Sequence, residues 1–261
     1  MTLNHRILRT RVVHLPALTV LVTLGISGGA RAQGQGGRAP AGLPASPQAA
    51  APIDLTGYWV SIVTQDWRQR MVTPPRGDYE SVPITVEAKK VGDGWDPVKD
   101  EAAGEQCRSY GAPALMRVPG HVRITWQDDS TLKVELDAGE QTRLFHFGSR
   151  VPAGAPASWQ GYSVAGWETP GGAQPKSGSL RVVTTQLRPG YLRKNGVPYS
   201  ASAVLTEHWD LFTLPNGDAW ITITSTVEDP LYLRTPWLTA LHFKKQPDGS
   251  KWDPSPCSAT W

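Results

Sequence analysis

The residues able to move a proton or hold a metal are few and widely spaced. Past residue 32 there are four histidines, His121, His146, His208 and His242. None stands in a His-x-His or His-x-x-x-His pair, so a zinc or iron site would have to assemble from distant segments, and no metal is expected. No phosphate loop or dinucleotide fingerprint occurs, so no cofactor is expected. Gly161-Tyr162-Ser163-Val164-Ala165 approaches a nucleophile elbow but lacks its closing glycine. What remains is cofactor-free general acid–base chemistry, and one carboxylate stands out for it. Over residues 201–212, alternation places Ala203, Leu205, Glu207, Trp209 and Leu211 on one face. Glu207 thus sits among apolar neighbours, where a carboxylate is costly unless paired or hydrogen-bonded. Burial of that kind also tunes carboxyl groups for proton transfer.

Arg143 is the natural partner, since it alternates in phase with Phe145 and Phe147. Two readings stay open. Arg143 and Glu207 form a structural ion pair, or Glu207 is the acid or base and Arg143 holds a carboxylate or phenolate. His146 and Tyr162 complete the expected catalytic group. Trp209, Phe145 and Trp126 are the expected ligand-facing aromatics. The chain has 11 tryptophans, all after residue 32. Most fill a core, yet so much flat apolar surface favours an apolar or aromatic ligand over a nucleotide. Asp66-Trp67-Arg68-Gln69-Arg70 reads as part of a long loop near the mouth of the fold, either a gate or a solvated charged segment.

The elements that must position these residues are short and alternate with period two. Strands are expected near 57–64, 121–127, 132–136, 143–147, 160–168, 179–187, 201–212, 219–228 and 238–245. Asp128-Asp129-Ser130 and Pro215-Asn216-Gly217-Asp218 supply turns. One short helix is expected over 86–95, capped by Thr85, with mostly loop from 96 to 119. With 26 glycines and 23 prolines the chain is not helical. The pattern predicts an all-β antiparallel barrel of about 8–10 strands, a size that can enclose one small ligand. A β-sandwich is the alternative.

The N-terminus predicts export. Arg6, Arg9 and Arg11 precede an apolar run from Leu15 to Ile26, and Ala30-Arg31-Ala32 forms a small-x-small cleavage site. Residues 1–32 are read as a signal peptide and 33–52, rich in Gly, Ala, Pro and Gln, as a flexible linker. Residues 53–261 are read as one domain. The whole chain has 26 basic and 23 acidic residues, but four arginines and no acid lie in the leader, leaving 22 against 23. That balance removes the basic patch that nucleic-acid binding would need. No membrane span is expected after cleavage. In an oxidising compartment Cys107 and Cys257 are expected to bridge. Closing so long a loop contributes roughly 4–5 kcal/mol in the chain-entropy model.

Gly57-Tyr58-Trp59 at the first strand is similar to the Gly-x-Trp opening of lipocalin-like barrels, whose tryptophan plugs the closed end. A longer likeness rests on four ordered blocks: Trp95-Asp96-Pro97 with Asp100, Cys107, Gly111, Pro113, Met116 and Pro119; Gly161, Ser163, Val164, Trp167 and Glu168; Pro198, Ser200, Ser202 and Glu207; and Val227-Glu228-Asp229-Pro230 with Leu233, Pro236 and Trp237. In these the chain resembles uncharacterised exported bacterial proteins with lipocalin-like barrels. The resemblance implies a fold and a compartment. It also suggests kinship with exported proteins that release formaldehyde from lignin-derived aromatic dimers. Three functions follow as expectations: a pocket for a hydrophobic or aromatic small molecule, a cofactor-independent lyase, isomerase or dehydratase on such a molecule, or an interaction module of the envelope.

Overall fold

The computed structural model describes residues 45–148, 150–170 and 177–260. The leader and residues 33–44 lie outside them. The strands are β1 (Gly57–Ile62), β2 (His121–Asp128), β3 (Thr131–Leu136), β4 (Gln141–Phe147), β5 (Tyr162–Glu168), β6 (Ser179–Thr185), β7 (Gly190–Tyr191), β8 (Pro198–Tyr199), β9 (Val204–Thr213), β10 (Ala219–Glu228) and β11 (Trp237–Gln246). Nine of them close a barrel in the order β1-β11-β10-β9-β6-β5-β4-β3-β2, and β7 and β8 pair apart from it. The all-β barrel is therefore present.

Its antiparallel character holds at every seam but one. β4 and β5 run parallel, with Phe145 opposite Ser163 and Phe147 opposite Ala165. The reason is topological. Strand directions can alternate around a closed ring only if the number of strands is even, so nine strands force a parallel neighbour. A parallel pair needs a crossover instead of a tight turn, and residues 148–161 carry the chain from the end of β4 back to the start of β5.

The inner face follows the period of two. Val122, Ile124, Leu132, Val134, Phe145, Trp209, Ile223 and Phe243 alternate with outward residues and are all 2% exposed or less. They form one continuous cluster. Trp59 belongs to it, and its indole Nε1 donates to the Leu55 carbonyl at 2.9 Å. At this end Trp126, Phe147 and Trp167 stack in a group, with ring centroids 5.2–6.5 Å apart. Residues 45–52, the last part of the stretch read as linker, pack here. The Trp167 indole donates to the Pro47 carbonyl at 2.8 Å, and the Gln48 amide to the Asp129 carbonyl at 3.1 Å.

The opposite end carries the long insertions, 63–120 and 186–203. Together they make a cap. The expected single helix is there as α2 (Val86–Asp93), with Thr85 Oγ1 accepting from the Ala88 amide. Three more short helices accompany it: α1 (Trp67–Met71), α3 (Pro97–Ala102) and α4 (Ala112–Leu115), with a 3-10 turn at Gln106–Tyr110. Their start signals are local and readable afterwards. Asp96 caps α3 with Pro97 at its first position, and Pro113 opens α4. Cys107 and Cys257 are bridged, tying the cap to the C-terminal tail. Asp229 accepts from the Ser200 amide and hydroxyl and from the Leu231 and Tyr232 amides, which fixes the end of β10 to the cap. Among the described residues no helix is long and apolar enough to cross a membrane.

Candidate functional site: a buried basic cavity in the cap

The predicted catalytic residues are placed in two groups that face opposite sides of the sheet. Arg143 and Glu207 point inward and meet. The guanidinium donates to both carboxylate oxygens, at 3.0 and 2.5 Å, and to Thr184 Oγ1 at 3.1 Å. Thr184 in turn bonds Ser163 at 2.8 Å. Both ionic side chains are essentially sealed, at 0% and 1% exposure. Phe145 lies under the guanidinium at 4.8 Å and meets Trp209 edge-on at 5.4 Å. This is the paired arrangement that makes a buried charge tolerable.

His146 and Tyr162 lie on the outer face, across the parallel seam. Their rings stack at 4.6 Å and 13°. Partial burial lowers the His146 pKa, with Asp128 opposing weakly. Trp126 is at the far end, in the aromatic group closed by residues 45–52. The structure thus brings Arg143, Glu207, Phe145 and Trp209 together in the packed core, and leaves His146, Tyr162 and Trp126 elsewhere. Among the described residues no cluster of His, Cys, Asp and Glu could hold a metal ion.

The cap holds what the sequence reading missed. From Gly190 to Ser200 every residue is buried, including Arg193, Lys194 and Asn195. Such a polar loop ordinarily lies on the surface. Here β7 and β8 flank a tight turn closed by the Leu192 amide on the Val197 carbonyl at 2.7 Å. Gly196 makes the turn possible. Its φ is +80°, and a Cβ there would come within 2.3 Å of Trp95. Tyr191, Leu192, Val197 and Tyr199 anchor both arms in the apolar layer beneath the cap. The two cations at the tip are driven inward as a result.

They meet two more. Arg70 from α1, Arg117 ahead of β2, Arg193 and Lys194 line one small cavity with Ser109 and Leu192. Their exposures are 2%, 6%, 3% and 4%. The cavity is small, with about 20 Å³ of room. That is about the space of one water, enough for an anionic oxygen and not for a ring.

The charges around it are not balanced. Among the described residues Asp66 is the carboxylate that reaches the arginines, 3.0 Å from Arg117 and 4.0 Å from Arg193. Arg117 also lies over the Trp237 ring at 4.9 Å. Arg70 Nε donates to the Arg117 carbonyl at 2.8 Å, and Arg193 donates to Ser81 Oγ at 2.8 Å. Yet among the described residues Arg70 Nη2 and Arg193 Nε and Nη1 are buried with no hydrogen-bond acceptor. Lys194 Nζ donates to the Tyr110 hydroxyl at 2.6 Å.

Electrostatics reports the same imbalance. Burial, followed by the Arg117 charge, lowers Arg70 and Arg193 to about 10, with Asp66 opposing at both and Asp78 and Glu80 also opposing at Arg193. Burial also lowers Arg117. Burial lowers Lys194 to about 7, with Glu101 opposing. Buried donors without acceptors cost of order 1–3 kcal/mol each, and more when charged. An anion in the cavity would satisfy them, and arginine's planar fork suits carboxylate or phosphate oxygens.

Several residues of the ordered blocks build this cap. Trp95 backs Gly196, Asp96 caps α3, Cys107 is bridged, Ser200 bonds Asp229, and the Trp237 indole donates to the Ser81 carbonyl at 2.8 Å. Set against family models, curated proteins and solved structures, the chain matches none of them.

Proposed function

We propose that this is an exported barrel protein that binds a small organic anion, with the acidic group seated in the basic cavity of the cap. The observation that carries the reading is the convergence of Arg70 and Arg193, both sealed from solvent, with guanidinium N–H groups that no described residue accepts. Perturbed, buried ionisable groups gathered around a cavity are a mark of functional sites. The signal-like leader and the bridged cysteines support an oxidising compartment outside the cytoplasm. The abundance of tryptophan and the likeness to exported lipocalin-like proteins support a ligand with an apolar or aromatic body.

The site differs from a lipocalin-type central pocket. The barrel interior is taken up by its own aromatic and aliphatic side chains and by the Arg143–Glu207 pair. The cap, which is the larger part of what lies between the strands, supplies the binding groups.

Calorimetric titration of the purified protein with benzoate, phenylphosphonate and benzyl alcohol tests this. The two acids should bind and the alcohol should not, and Arg70→Met with Arg193→Met should abolish acid binding. Equal binding of acid and alcohol, or acid binding that survives both substitutions, would refute the assignment.

A further inference from the structure

The cap carries a second concave feature beside the basic cavity. Trp67, Met71, Val72, Pro74 and Pro75, with Arg68 and Asp78 also in the lining, form a crevice with about 160 Å³ of room. That is close to the roughly 150 Å³ of an apolar cavity known to accept benzene. Trp67, Met71 and Val72 are 63%, 54% and 57% exposed. Singly exposed apolar residues need no explanation. Three of them beside two prolines in one crevice form a surface that water solvates poorly.

α1 borders both features. Trp67 and Met71 are four residues apart and share one face of it. Arg70 leaves the same helix toward the basic cavity, and Gln69 also lines that cavity. The opposite wall is joined as well. Asn195, next to Lys194 on the buried turn, donates to the carbonyls of Pro75 and Asp78 at 3.1 and 2.7 Å. The crevice residues are therefore held by the helix and the turn that supply the cations.

We propose that the crevice is the second half of the ligand site, and that it takes the apolar body of an amphipathic acid whose carboxylate or phosphonate head occupies the basic cavity. This rests on the anion-site reading above. The ligand class is then an aryl- or alkyl-carboxylic acid, with its head buried and its body lying along Trp67 and Met71. A bare inorganic anion would use half the site, and an uncharged hydrocarbon would leave the guanidinium groups unsatisfied.

The test is a calorimetric series with acetate, butyrate, hexanoate, octanoate and 3-phenylpropionate. It is run on the wild type and on the double variant Trp67→Ser, Met71→Ser, whose altered side chains are exposed and do not support the core. For the wild type, affinity should rise roughly fourfold per added methylene until the crevice is full. The variant should bind acetate as the wild type does and lose the rise. Acids of all lengths binding the wild type equally would overturn the crevice and leave the anion site standing. A rise with length that persists in the variant would also overturn it. Failure of every acid to bind would remove the anion site, and the crevice proposal with it.

Discussion

Two buried sets of cations in this molecule are handled in opposite ways. In the barrel, Arg143 meets Glu207 through two hydrogen bonds and finds a third acceptor in Thr184, leaving its Nε alone without a partner among the described residues. In the cap, Arg70, Arg117 and Arg193 converge with Asp66 as the carboxylate in reach, and among the described residues three guanidinium nitrogens of Arg70 and Arg193 find no acceptor. The first arrangement is what folding alone produces when a charge must be enclosed. The second is a standing cost, which a bound anion would offset. Charge pairing, more than burial, separates the two groups.

Breaking the barrel pair should have the largest effect. Glu207→Gln leaves Arg143 enclosed without its counter-charge and should cost about 3–5 kcal/mol in urea unfolding. Replacing both partners, Arg143→Met with Glu207→Leu, should recover most of that loss. If Glu207→Gln unfolds like the wild type, the pair is not what holds the core, and a role for Glu207 in proton transfer regains its standing.

Removing the cap-to-tail bridge is next. Cys107→Ala with Cys257→Ala should cost roughly 2–4 kcal/mol, since the bridge closes a long loop. Amide exchange in 106–117 and 190–200 should rise more than in β9 and β10. Uniform loosening would mean that cap and barrel do not differ in how they are held.

A change of pH sharpens the contrast further. Lys194 titrates near 7 when folded and near 10.5 in an unfolded chain. Below about 7 it is protonated in both states, and the full cost of enclosing its charge is felt. Between about 7 and 10.5 the unfolded chain binds the extra proton, so this group makes the ligand-free protein more stable as pH rises. Anion binding should show the opposite trend, weakening as pH rises through about 7 and Lys194 loses its charge, while the arginines stay charged. Lys194→Met should flatten both profiles. Among the described residues, Tyr110, Glu101 and the three arginines are charged or titratable groups around Lys194, with Asp66 beyond them.

The smallest effect is expected on the outer face of the barrel. Arg123 pairs with Glu135 at 2.7 and 2.8 Å but is partly solvated. Arg123→Ala should cost under about 1 kcal/mol, a measure of how little an ion pair contributes once water can reach it.

The barrel was legible in the sequence because period-two alternation survives wherever one face is enclosed. The segment 219–228 matches β10 at both ends, and the face containing Leu205, Glu207 and Trp209 is the buried one. The Arg143–Glu207 pairing followed from the same alternation. The parallel seam was not legible, because direction is set by how nine strands close and not by any one strand. The basic cavity was hidden for a different reason. Arg193-Lys194-Asn195-Gly196 has the composition of a solvated turn, and only the flanking Tyr191, Leu192, Val197 and Tyr199 mark it as enclosed. Segment 66–70 stood out as a charged stretch near the mouth, but which of its arginines turns inward depends on α1, too short to show a period of its own.

The most direct test of this account compares the thermal unfolding of wild type and Arg193→Met, each with and without saturating benzoate. The account predicts that Arg193→Met alone melts at or above the wild-type temperature, because an uncompensated buried charge is gone. It also predicts that benzoate raises the wild-type melting temperature and leaves the variant's unchanged. A variant that melts well below the wild type, and still gains the same stabilisation from benzoate, would show that Arg193 supports the fold and that the anion site lies elsewhere.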